Sequence, residues 1–127
     1  GLPLAFMQLA ESAIAAPIGA SRDELPKVNV DPFATNKDVL TTCSAKEGTL
    51  QYSLCLGYIY GLLRRDELLR WTNPNLAYAC ELPQGVDADQ LRAVIVKYLQ
   101  DRPETWHWTG AGSSLYAVKR AFCRPNQ

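Results

Sequence analysis

A single histidine, His107, stands in this chain of 127 residues. One imidazole without companion ligands in sequence range makes no zinc site. It could activate a nucleophilic cysteine only if one of the four cysteines were free and accessible. The even count, with no CxxC pair, reads instead as two structural disulfides formed in an oxidising compartment. Glycine-rich phosphate loops, GxSxG and HExxH are also missing. The carboxylate pairs Asp66/Glu67 and Asp87/Asp89 are explained by a solvated helix face and a helix start. No catalytic residue, cofactor or metal is therefore expected, and the chain reads as a binding protein rather than an enzyme.

Excess charge is missing too. Thirteen basic residues cancel thirteen acidic ones, and no basic stripe interleaved with aromatics offers a nucleic-acid surface. Strand signals are nearly absent, as are internal repeats and low-complexity tracts. Residues 50–63 are uncharged, but that run is short for a membrane span. Residues 2–20 are apolar and small, yet they hold Glu11, Pro3 and Pro17, which argues against membrane insertion. That stretch reads either as a short docking helix or as the trailing part of a secretory signal. Residues 21–35 form a proline-containing connector.

What is present fits one globular domain, with 47% hydrophobic and 20% charged residues. Residues 80–99 carry the most consistent local signals. Pro83 and Gly85 break the chain, Asp87 is a good N-cap, and Gln90 three residues on suits a capping box. Val86 and Leu91 have the spacing of a hydrophobic staple. Leu91, Val94, Ile95, Tyr98 and Leu99 then form one apolar face, and Pro103 stops the helix.

Three more helices are expected: 37–45 capped by Asn36, 50–70 opened by Thr49, and 114–122 ending at Cys123. The fold class is all-α, a compact bundle of four to five helices cross-linked by two disulfides. Four cysteines allow three connectivities. The favoured one joins Cys55 to Cys80 and Cys43 to Cys123, which would tie the chain end to its start; Cys43–Cys55 across a helical hairpin, with Cys80–Cys123, is the rival. Gly57 and Gly61 lie four apart in the longest helix, where each costs about 1 kcal/mol relative to alanine. They call for close approach of another backbone, either within the chain or from a second subunit, with Tyr58 beside them.

Two loops between stapled helices could project toward a partner. Residues 71–79 offer Trp71, Asn73 and Asn75, and residues 104–113 offer Trp106, His107 and Trp108. Each tryptophan could equally fold back to cap the core.

The run Cys55-Leu56-Gly57-Tyr58-Ile59-Tyr60-Gly61 is followed by Cys80-Glu81-Leu82-Pro83-Gln84-Gly85-Val86 with Gln90-Leu91. Then come Lys97-Tyr98-Leu99, Pro103, and a helix ending Ala121-Phe122-Cys123. In order and spacing these pieces resemble the Rap/Tai family, small periplasmic immunity proteins of bacterial type VI secretion systems. The resemblance covers roughly residues 39–123, leaves residues 1–35 without a family pattern, and places a helical immunity domain over 36–127. Phe122 stands where the family usually has a proline before its last cysteine. The resemblance implies a disulfide-bonded, often dimeric protein, exported with its signal removed. It implies that the chain binds a cognate peptidoglycan amidase effector with a papain-like Cys–His centre and occludes its cleft. A small periplasmic holdase chaperone is the alternative function.

Overall fold

The structure is a computed structural model that describes residues 31–125. The docking helix or signal remnant expected over residues 2–20, and the connector as far as residue 30, lie outside the described residues. Four α-helices follow in order: α1 (Asn36–Cys43), α2 (Leu50–Thr72), α3 (Ala88–Gln100) and α4 (Gly110–Phe122). Short 3-10 turns at Pro74–Leu76 and Pro103–Thr105 lie in the connections after α2 and α3. Among the described residues the only strand-like pairing is a single bridge between Thr35 and Thr109.

Three of the four helices start where a side chain satisfies free backbone N–H groups, and α4 starts after Thr109 without one. Thr35, not Asn36, caps α1: its hydroxyl accepts from the Asp38 N–H at 3.1 Å, and the Asp38 carboxylate accepts from the Thr35 N–H at 3.1 Å. Asn36 is then free for tertiary work, and its side-chain amide donates to the Thr105 carbonyl at 2.8 Å. Thr49 caps α2 through the Tyr52 N–H, and Asp87 caps α3 through the Gln90 N–H at 2.8 Å. On α3, Leu91, Ile95 and Leu99 are buried, while Val94 and Tyr98 are half-exposed at the edge of that face.

The last helix begins at Gly110, four residues before the expected Ser114. Gly110-Ala111-Gly112-Ser113 has poor helix propensity, which hides its helical state from a sequence reading. Tertiary contact supplies the missing order. The Gly110 N–H donates to the Ala34 carbonyl at 3.1 Å, and the Asn36 N–H donates to the Trp108 carbonyl at 2.9 Å. A Cβ on Gly110 would lie 2.6 Å from Val39 Cγ2 and 2.7 Å from the Phe33 carbonyl oxygen. Only glycine fits where α4 starts against α1.

The core gathers Val39 and Cys43 from α1, Cys55 and Ile59 from α2, Leu91, Ile95 and Leu99 from α3, and Ala117 and Val118 from α4. Arg92 of α3 donates to the Cys43 carbonyl at 3.1 Å, a cation at the C-terminus of α1. It also pairs with Asp89 at 2.9 Å, and Asp89 accepts from the Tyr52 hydroxyl at 2.7 Å. These hydrogen bonds, the Tyr52 contact first, hold the Asp89 carboxyl below its usual range.

The favoured disulfide pairing is overturned. Cys43 bonds Cys55 and Cys80 bonds Cys123. The reason is where the helices end. Cys43 closes α1 and Cys55 lies just inside α2, so the short turn between the two helices brings them to a Cα separation of 5.1 Å. Cys80 follows the loop that returns along α2, and it meets the residue after α4 at 5.7 Å.

Non-reducing peptide mapping should therefore recover Cys43–Cys55 and Cys80–Cys123 linkages. The loop-entropy relation gives a loss of about 3 kcal/mol for opening the first and about 4 kcal/mol for the second, and denaturant melts of the paired serine variants measure it. Gly110→Ala should destabilise by about 1–3 kcal/mol through overpacking in the same assay.

Candidate functional site

Asp66 is the one ionisable residue buried on α2. It is 3% exposed, on the same face as Cys55 and Ile59. Its carboxylate accepts three hydrogen bonds: from the Tyr78 N–H at 2.7 Å, the Ala79 N–H at 3.0 Å and the Arg70 guanidinium at 2.9 Å. Arg70 also donates to the Ala79 carbonyl at 3.1 Å. A buried carboxylate is tolerable only with this degree of compensation. The expectation of a solvated Asp66/Glu67 face is thus corrected for Asp66, whose carboxylate clamps the returning chain against α2. The signal was present in the sequence: Asp66 continues the buried positions 55 and 59 at helical spacing, with Arg70 at i+4.

The clamp fixes what lies beyond it. Trp71 is not in a loop but in the last turn of α2, and it is 83% exposed. Leu68 at 61% and Leu76 at 62% are exposed near it in sequence. Asn73 caps the helix with its N–H on the Leu69 carbonyl at 2.7 Å, and its carbonyl accepts from the Leu76 N–H at 2.9 Å. Asn75 is exposed within the 3-10 turn. The result is an apolar projection around Trp71, with Asn73 and Asn75 on the turn that follows, held by Asp66 below and by the Cys80–Cys123 bridge behind.

The second predicted loop behaves differently. The Trp106 indole N–H donates to the Leu99 carbonyl at 2.8 Å, and the Trp106 carbonyl accepts from the Lys37 N–H at 3.0 Å. Trp106 is half-buried and braces the end of α3 against the start of α1. His107 and Trp108 are exposed. All four cysteines are in disulfides, so no thiol stands beside His107. Trp71 and Trp108 line different grooves. Trp71 borders grooves with Glu67, Arg70 and Leu68, while Trp108 borders one with Tyr98 and Tyr116.

The outer side of α2 carries a further regularity. Leu50, Leu54, Gly57, Gly61, Arg64, Leu68 and Trp71 are all exposed and alternate in steps of four and three. That is the spacing of a helix-pairing seam. A Cβ on Gly57 or Gly61 would meet nothing within 4 Å, so no backbone of the chain's own described residues crosses there. Tyr58 is half-buried and stacks on Phe33 with ring centroids 4.0 Å apart, which turns it away from the two glycines.

Fold and site together define a disulfide-stapled helical protein that presents rigid apolar and aromatic side chains, the make-up of protein–protein anchors. The family model of the Rap1a immunity proteins matches residues 35–123. The chain belongs to that family, as the resemblance to Rap/Tai immunity proteins implied. It is accordingly an immunity protein, a class directed against a secreted toxin. No curated protein and no solved structure matches it. Among the described residues no helix is long and apolar enough to cross a membrane.

Asp66→Ala should cost about 3 kcal/mol or more, because it leaves the Tyr78 and Ala79 N–H groups and the Arg70 guanidinium without their acceptor. Urea melts give the magnitude. Hydrogen exchange should rise first at Tyr78 and Ala79.

Proposed function

We propose that this immunity protein is exported to the periplasm, where it binds a cognate type VI secretion peptidoglycan amidase and occludes its active-site cleft. The observation that carries the reading is the braced projection at the end of α2. A cleft enzyme is blocked by a protruding anchor that loses little entropy on binding. Trp71 has that character: it is large, almost fully exposed, and set on a helix whose last turns are pinned by a buried carboxylate. Asn73 and Asn75 flank it with side chains free to hydrogen-bond. From the second loop, His107 and Trp108 are available to a partner, while Trp106 serves the fold. The two disulfides fit an oxidising compartment.

A second copy of the chain is proposed to cover the α2 seam. Gly57 and Gly61 sit at its middle, with Leu50 and Leu54 on one side and Leu68 on the other. An antiparallel pair centred on the glycines places Gly57 opposite Gly61 and Leu50 opposite Leu68, a self-complementary two-fold contact. Glycines with open space above them permit the close helix approach such a pair needs.

The deciding experiment is co-purification with a candidate type VI secretion peptidoglycan amidase from the same genome, followed by an amidase assay. A stoichiometric complex with a silent enzyme is expected; an enzyme that stays active in the complex removes the occlusion reading. Trp71→Ala should weaken binding by about 2 kcal/mol or more in calorimetry with an unchanged melting curve. Trp106→Ala should lower stability before it changes affinity.

Light scattering should give a dimer at tens of micromolar, and Gly61→Leu should give a folded monomer by circular dichroism. Gly57→Ala measured in dilute monomer should be stabilising by about 0.5–1 kcal/mol, since nothing in the described fold opposes the methyl.

A further inference from the structure

Apart from Trp108, the sequence reading assigned nothing to the outer face of α3 and α4. A groove of about 360 Å³ runs there between the two helices. Tyr98 and Ala117 are among the apolar residues that line it, and Lys97, Arg102 and Arg120 supply its cations. A neighbouring depression of about 560 Å³ shares Tyr98 and is walled by Tyr116 and Trp108. The Tyr98 and Tyr116 rings meet edge-on at 5.8 Å. The face therefore joins three aromatic rings to a cluster of cations.

Among the described residues the charge on this face is not balanced. The Arg102 guanidinium lies 3.9 Å from the centre of the Tyr98 ring and that of Arg120 lies 5.8 Å away. Arg102 spends one N–H on the Tyr98 carbonyl at 3.1 Å, where it caps the end of α3. Neither arginine has a carboxylate partner among the described residues. The one acid in the groove, Asp101, reaches only Lys97, at 4.0 Å, with both side chains exposed. Pairs of that kind contribute little. The whole chain is neutral, so this excess is a property of the face and not of the composition.

Two guanidiniums over one ring, with no carboxylate partner among the described residues, suit a carboxylate. The planar fork matches a carboxylate in a bidentate way, and stacking holds the fork in place. Adjacent tyrosine and tryptophan surface takes up an apolar side chain at low entropic cost. The cations form one short cluster and not a track, which disfavours a phosphodiester backbone.

We propose that the α3–α4 groove docks an acidic segment of a protein partner. Arg102 and Arg120 receive a carboxylate while a neighbouring apolar side chain lies on Tyr98 and Tyr116. The surface is separate from the Trp71 projection and stands whether or not that projection enters an amidase.

The test uses the full chain, isotopically labelled, titrated with a short peptide of alternating glutamate and phenylalanine and with the same peptide carrying glutamine for glutamate. The glutamate peptide should shift the amide signals of Tyr98, Arg102, Tyr116 and Arg120 saturably, bind about tenfold or more tightly than its glutamine counterpart, and weaken as salt rises. Arg102→Ala with Arg120→Ala should abolish the response with the fold intact by circular dichroism. Should loss of the α3 cap unfold that variant, Arg120→Glu alone, on an exposed position of α4, carries the same expectation. Equal binding of the two peptides overturns the proposal. So do shifts that map elsewhere, a response unchanged by either variant, or no response up to the solubility limit of the peptide.

Discussion

The rest of the structure is built around the Cys43–Cys55 bridge. Both sulfurs are fully buried at the centre of the core, among Val39, Ile59, Leu91 and Leu99. The bridge fixes the end of a helix of two turns against the start of one of six, across a connection of only a few residues. A helix as short as α1 is marginal alone. Its orientation relative to α2 is set covalently, and α3 and α4 pack against the corner so formed. The Arg92 contact to the Cys43 carbonyl closes the same corner from the third helix.

The far half of α2 obeys a different constraint. Past Ile59 it has little apolar core left to lie on, and a buried carboxylate takes over. Asp66 draws the returning chain inward by accepting from two consecutive backbone N–H groups, and the Cys80–Cys123 bridge then ties that chain to the end of α4. A polar clamp of this kind has a directional geometry that apolar packing lacks. It lets a helix end stand clear of the bundle without fraying, which is what a protruding Trp71 requires. Rigidity at the base and exposure at the tip are one arrangement.

α2 is apolar nearly all round over its first half, which in a small bundle leaves more apolar surface than the core can take. The structure divides that surface. Cys55 and Ile59 go inward, Tyr58 stacks on Phe33, and Leu50, Leu54 and the two glycines face out. Membership of the Rap1a immunity family gives that outward face and the tip of the same helix a context, since an immunity protein acts by binding. The α3–α4 face, with its aromatic rings and with arginines that have no carboxylate partner among the described residues, has a different chemistry and calls for a different contact.

Local interactions made much of this protein legible in its residues alone. The all-α class, the Asp87 cap, the buried Leu91–Ile95–Leu99 row, and the pairing of all four cysteines follow from signals that act within a turn or two of helix, or from simple counting. What the tertiary structure decided lies where distant segments meet. Cys43 pairs with Cys55 because two helix ends arrive side by side, a fact no spacing rule contains. Gly110 starts α4 because Phe33 and Val39 leave no room for a side chain, although its neighbours have poor helix propensity. Trp71 and Trp106 look alike in sequence, yet one caps nothing and the other hydrogen-bonds Leu99. Asp66 carries the same charge as its neighbour Glu67, but a position on the inner face of α2 makes it a buried clamp. The inner-face position of Asp66 can be read from its helical spacing to Cys55 and Ile59, but the chain it clamps and the other outcomes depend on the relative placement of helices, which is set by packing and chain closure.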